Sequence, residues 1–238
     1  MYKTKSKYFN PVKKVWEEIE VIIDKKLNFD YSKCKWIALD GEFTGLYPGR
    51  DRSALWTICS ENENGSMRVE MLYTYDLDAD LSIFTDLITS DIEKLFYYGR
   101  VDIAYLYQLT GKKIAQPIFD VKLSSVVSRT HTVEHSLKTL VQNYISSTEN
   151  IIDKTVLFNA DWVEDYTKWS DSVIQYNVND VVYLKFLSDK IKELTHLSGR
   201  DVSVDAVNNA LPELGVLYSQ GFYHNVFKHD YKDTDMQG

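Results

Sequence analysis

Trp36-Ile37-Ala38-Leu39 is an unbroken apolar run that ends at Asp40-Gly41-Glu42. Continuous apolar character over so short a stretch predicts a buried strand, here near residues 35–41. Two more strands are predicted near 54–60 and 67–73, joined by the turn signal Asn62-Glu63-Asn64-Gly65. Upstream, Val12, Val15, Trp16, Ile19, Ile22 and Ile23 recur at helical spacing and predict a helix over 11–28. A helix is expected near 80–89, then a short strand into Tyr98, a turn at Gly99 and a helix from Val101 to Leu109. Further helices are expected near 121–128 and 136–145, and a long one from 170 to 194 with Ser170 as its N-cap. Residues 204–218 read as an amphipathic helix, and Tyr231–Gly238 as a frayed polar tail. Strands first and helices afterwards predict an α/β fold, a mixed sheet with helices on both faces. The division expected is a helical N-terminal extension over 1–34, a central domain over 35–195 and a helical C-terminal extension over 196–238.

The candidate chemistry is carboxylate chemistry. Side chains alternate along a strand, so Asp40 and Glu42 share a face a few ångströms apart. Two carboxylates at a buried strand end repel each other unless a cation lies between them. Tyr176 and Asp180 sit one helical turn apart and face the same way. Asp102 opens a helix after the Gly99 turn. A set made only of carboxylates is a hard oxygen site, suited to Mg2+ or Mn2+.

These motifs carry a family resemblance. Asp40-x-Glu42 followed by Phe43-Thr44-Gly45-Leu46, then Asp102 at a helix start, then Tyr176-x-x-x-Asp180, resembles the ribonuclease D-like branch of the DEDD 3′–5′ exonucleases that has a tyrosine in its last motif. Val181-Val182-Tyr183-Leu184 and Asp161-Trp162 also resemble the family, as does Lys154. One residue departs from it: Tyr97 stands where the family carries a histidine. The resemblance covers roughly 35–195. It implies a ribonuclease H-like fold and a metal-dependent exoribonuclease that releases nucleoside 5′-monophosphates from RNA 3′ ends. Two divalent ions would provide the attacking hydroxide, the in-line geometry and the charge neutralisation. Asp40 would bridge them, Glu42 and Asp180 would complete the first site, and Asp102 would support the second. Tyr176 would orient the attacking water. Leu46 would wedge against the terminal bases, and backbone groups of Phe43 and Thr44 would hold the 3′-terminal sugar. Larger members carry further helical domains for which this length leaves no room.

Charge and composition qualify the picture. The chain has 238 residues, a hydrophobic fraction of 44% and a formal net charge of −8. An acidic chain is a poor nonspecific duplex binder, because phosphate contacts come from basic surface. It remains compatible with holding a short single-stranded 3′ end. Arg50, Arg52 and Arg100 are the candidates for phosphate contact. Two readings stay open beside the exoribonuclease: a 3′–5′ exonuclease acting on DNA, and a nucleic-acid-binding module of the same fold with an impaired site. His131-x-x-Glu134-His135 matches a zinc-hydrolase pattern, but β-branched Thr132 and Val133 make a poor helix interior, so a loop is expected. Cys34 and Cys59 form no C-x-x-C pair, which speaks against zinc or dithiol chemistry and suits a reducing cytoplasm. No apolar run reaches the length of a membrane span, and no stable protein partner is implied.

Overall fold

The computed structural model describes residues 1–62, 64–146 and 165–220. Lys154, Asp161, Trp162 and the polar tail lie outside the described residues. The strands are β1 (Tyr2–Asn10), β2 (Val15–Asp24), β3 (Trp36–Phe43), β4 (Ser53–Glu61), β5 (Met67–Tyr73), β6 (Glu93–Phe96) and β7 (Ile118–Asp120). They form one mixed seven-stranded sheet in the order β1-β2-β5-β4-β3-β6-β7. The helices are α1 (Ser82–Thr89), α2 (Arg100–Thr110), α3 (Val121–Ser128), α4 (Leu137–Tyr144), α5 (Asp171–Val182), α6 (Leu184–Leu197) and α7 (Asp201–Ser219). A helix-flanked α/β sheet of the ribonuclease H-like kind is therefore what these residues build.

Alternation along the central strands divides the interior into two cores. Trp36 and Ala38 of β3 and Leu55 and Cys59 of β4 face Ile174 and Val178 of α5 and Leu187 and Ile191 of α6. Ile37, Leu39, Trp56 and Ile58 face the other way, toward Phe84 of α1, Ile103 and Leu106 of α2 and Leu211 of α7. The parity of the sheet thus sends Asp40 and Glu42 to the α5 side.

The helix expected over 11–28 is instead the second half of an antiparallel hairpin, with Tyr2 paired to Ile23 and Asn10 to Val15. Two signals outweigh the helical spacing. Asn10-Pro11 is a turn pair, and the Asn10 side chain accepts the amides of Val12 and Lys13, each at 3.0 Å. Val21-Ile22-Ile23 is β-branched and suits a strand. Val12, Val15 and Trp16 are exposed near the hairpin tip rather than packed on a helix face.

The outer edge of β1 is closed by α5 and its junction with α6. Gln175 accepts the Lys7 amide at 3.2 Å and donates to the Lys7 carbonyl at 2.7 Å, while the Tyr183 hydroxyl accepts the Phe9 amide at 3.0 Å. An edge strand needs such cover. The same contact explains why the long helix expected from 170 to 194 is two helices. The chain breaks at the fully buried Tyr183, whose ring must reach β1. Ser170 does cap α5, accepting the Val173 amide.

Candidate active site

β6 pairs with β3 only from Trp36 to Ala38. Beyond that point the edge of β3 is bare of strand, and the first turn of α2 takes its place. There the Asp102 carboxylate accepts the Gly41 amide at 2.9 Å. Gly41 has to be glycine for steric reasons, since a Cβ would press on the Phe43 ring and on Trp56. Phe43 is fixed in turn by stacking on Tyr105 of α2, with ring centroids 3.9 Å apart and planes 9° from parallel. The motif strand and α2 are thus held together by one side-chain-to-backbone hydrogen bond and one aromatic stack.

On the other side of β3, α5 brings up Asp180 and Tyr176, both buried. One carboxylate oxygen from each of Asp40, Glu42 and Asp180 lies within 4.8 Å of the other two. Tyr176 hydrogen-bonds Asp180 through its side chain. Burial, followed by the nearby charges of Asp180, Glu42 and Asp40, holds its phenol well above the usual tyrosine range. Tyr176 is therefore a neutral O–H donor among carboxylates in the metal-free protein. Asp102 is pushed up to about 7, first by burial and then by the charges of Asp120 and Asp180.

A divalent ion fits these residues. Three converging carboxylates repel in its absence, and their oxygens are the hard donors that Mg2+ and Mn2+ take. Thr57 of β4 adds a further sign. It stands opposite Asp40 in the β3–β4 register and is fully buried, yet its hydroxyl has no hydrogen-bond partner among the described residues.

The expected substrate residues lie on the segment after β3 and at the start of α2. Leu46 projects into solvent, 69% exposed. Its segment is fastened from behind: the Tyr105 hydroxyl donates to the Gly45 carbonyl, and the Tyr218 hydroxyl of α7 donates to that of Leu46. Thr44 spends its amide on the Arg52 carbonyl and its hydroxyl on the Arg52 amide, so it shapes the loop. Arg50 is bound to Asp51 by two contacts of 3.1 and 3.0 Å. Arg52 lies over the Tyr75 ring, and Arg100 lies between the rings of Tyr98 and Tyr218.

Tyr97, the departure from the family pattern, donates to the His135 carbonyl at 2.6 Å. His131 and His135 lie in the loop before α4. His135 is buried and both its ring nitrogens are engaged, Nδ1 with Ser125 and Nε2 with Thr132.

Sequence reasoning missed Asp120. This buried carboxylate caps α3 and also accepts the amides of Tyr98 and Gly99, at 3.1 and 2.7 Å. It therefore sets the turn that delivers Asp102. An aspartate before the helical run Val121–Ser128 was a readable N-cap signal. Its second task, gripping a turn some twenty residues earlier in the chain, leaves no local trace.

Comparison with known proteins identifies the family and the fold. A family model described as 3′–5′ exonuclease matches residues 18–196. The structure of Brucella melitensis NrnC bound to pGG is 27% identical, covers 85% of this chain and 94% of that one, and superposes with a TM-score of 0.71. The same protein with bound Mg2+ is 26% identical, covers 86% and 95%, and gives 0.71. Escherichia coli RNase D, 18% identical, shares the fold with a TM-score of 0.61 over 76% of this chain and 45% of that one. Comparison with curated proteins finds no match.

Proposed function

This chain belongs to the 3′–5′ exonuclease family, and from that membership we propose that it shortens single-stranded RNA stepwise from the 3′ end, releasing nucleoside 5′-monophosphates with two divalent ions. The observation that carries the reading is the meeting of Asp40, Glu42 and Asp180 within 4.8 Å, with the Tyr176 hydroxyl among them. Bound ions would supply a nucleophile at neutral pH and offset charge on the phosphorus. The chain's own residues do the rest. Asp40, Glu42 and Asp180 hold the ions. Asp102, fixed on the Gly41 amide, would support the second ion through water. Tyr176 keeps its proton and orients the attacking water by donation. Leu46, held firm from behind, stacks on the terminal base, and the backbone at Phe43 and Thr44 meets the last sugar. Magnesium is the first candidate, because the related NrnC is known with Mg2+. RNA is the first candidate substrate, because that protein is also known with pGG.

No helix among the described residues is long and apolar enough to cross a membrane. Free Cys34 and Cys59 suit a reducing compartment, and we place the protein in the cytoplasm. The test uses 5′-labelled RNA and DNA oligomers of one sequence, with Mg2+, with Mn2+ and with chelator. A ladder that shortens from the 3′ end, faster on RNA and stopped by chelator, is expected. Internal cleavage, or none with either ion, would replace this reading with the impaired binding module. A faster ladder on DNA would change the substrate and keep the chemistry.

A further inference from the structure

α7 begins at Asp201, past residue 196 where the match to the exonuclease family ends. One of its faces nevertheless reaches the site. Asn208, Leu211, Gly215 and Tyr218 follow one another at helical spacing and share that face. The Tyr218 hydroxyl donates to the Leu46 carbonyl. Gly215 lies so close to α2 that a Cβ would collide with the Ile103 side chain. Asn208 is buried within the helix, where asparagine is a poor helix former and an amide is costly unless it is bonded. Its Oδ1 accepts the Asp120 amide at 2.7 Å, and its Nδ2 donates to the Ser124 hydroxyl and the Val204 carbonyl, each at 3.0 Å. Asp120 is thereby pinned from behind. Its carboxylate holds the amides of Tyr98 and Gly99, with Tyr98 at a φ of +63°, a conformation a tyrosine enters only under constraint. The Gly99 carbonyl then accepts the Ile103 amide at 2.8 Å in the first turn of α2, the turn that carries Asp102 to the Gly41 amide.

We propose that Asn208 is a positioning residue of the active site: by fixing Asp120 it holds the Tyr98–Gly99 turn, and through that turn it keeps Asp102 on β3. Its effect on turnover rests on the exonuclease reading of the same site. An apolar residue beside Leu211 would fasten α7 to the core without the desolvation cost of an amide. What the amide adds is direction, because it fixes where the Asp120 backbone sits and so where its carboxylate points. The strained φ of Tyr98 gives the turn a reason to relax once that carboxylate moves.

The experiment measures amide hydrogen exchange by NMR in chelator, and steady-state RNA cleavage with Mg2+, on the wild type, Asn208→Leu and Ser128→Ala. Ser128 is the control: at the far end of α3 it shares a buried hydrogen bond of 2.5 Å with Thr195. Both variants should melt earlier than the wild type. In Asn208→Leu the amides of Tyr98, Gly99 and Gly41 should lose protection. Its kcat should fall roughly tenfold, the low end of the loss when support behind a metal-binding group is removed, with KM for RNA nearly unchanged. Ser128→Ala should keep both the protection and kcat. In an Asp102→Asn background Asn208→Leu should cost little further turnover, because both changes act through one group. Asn208→Ser, one atom shorter and still polar, carries the test if Asn208→Leu does not fold, and should show the same selective loss. Unchanged protection at Gly41, or an equal fall of kcat in Ser128→Ala, would overturn the proposal and leave Asn208 a fastening of the fold. If the wild type cleaves from the 3′ end and the Asn208 variant keeps Gly41 protected, the positioning role fails and the exonuclease reading stands. If Gly41 loses protection but the wild type never cleaves, the reading fails and the hold on Asp102 stands.

Discussion

The two flanks of β3 present their carboxylates differently. On the α5 side Asp180 converges on Asp40 and Glu42, so three like charges crowd together and the arrangement asks for a cation. On the α2 side Asp102 is satisfied by protein: it accepts the Gly41 amide, and burial favours its neutral form up to about pH 7. One flank asks for a ligand the chain does not supply, and the other is stabilised by a hydrogen bond the chain supplies itself. The order of motifs along a chain does not distinguish these two situations.

The largest effects should come from the α5 flank. Asp180→Asn removes one charge from the converging set, and turnover should nearly vanish with Mg2+ affinity weakened. Titration of the metal by calorimetry together with a cleavage assay checks both halves. Tyr176→Phe is next. It keeps the ring in its core and removes only the hydroxyl proposed to orient the water, so kcat should fall by roughly 10²–10⁴-fold with metal affinity nearly unchanged. A Phe variant that cleaves at the wild-type rate would make Tyr176 a packing residue.

Asp102→Asn probes the α2 flank, and pH is the lever. A carboxylate whose pKa is raised on folding contributes stability that is present at low pH and lost as pH rises through the folded value, here about 7. The metal-free wild type should therefore melt earlier at pH 8 than at pH 5. Buried Asp120 shifts the same way, so the trend softens in the variant rather than vanishing. Asparagine can still accept the Gly41 amide but cannot ionise, so at pH 8 the metal-free variant should melt later than the wild type. Its turnover should fall by less than that of Asp180→Asn. A variant that melts earlier at both pH values would show that the carboxylate itself is needed for the fold.

What the sequence revealed and what it hid divide along the range of the interactions. β3, β4, β5 and α1 to α4 lie near their expected positions, because apolar runs, turn residues and caps such as Ser136 and Ser170 are local signals. The first hairpin looks helical in the sequence because Val12, Val15 and Trp16 fit a helical period while lying at or beside a turn. β7, three residues long, is too short for any period to register. The break at Tyr183 depends on a partner in β1, at the far end of the chain. In the site, Asp40, Glu42, Tyr176 and Asp180 could be grouped from parity and helical spacing. The tie of Asp102 to Gly41 and the grip of Asp120 on the Tyr98–Gly99 turn are tertiary facts, and the sequence carries no sign of them.

The smallest effect should come from Thr57, which sits under the boundary between the flanks. Its hydroxyl is fully buried, faces the same side of the sheet as Asp40 and has no partner among the described residues. An unsatisfied buried donor costs roughly 1–3 kcal/mol. A protein gains nothing by keeping one unless some state of the molecule uses it. Thr57→Val replaces the hydroxyl with a methyl of nearly the same shape. If the hydroxyl is held for the loaded site, where a neighbour behind a metal ligand orients it, the metal-free variant should melt later than the wild type. About 1 kcal/mol corresponds to roughly 2–4 °C for a chain of this size. That gain should shrink or reverse when Mn2+ is added, because only the threonine protein then satisfies the group. Melting curves of both proteins with and without Mn2+ give the answer without an activity assay. An equal gain in both conditions would mean that Thr57 merely fills space beneath Asp40 and that the ion's hold on the α5 flank owes nothing to β4.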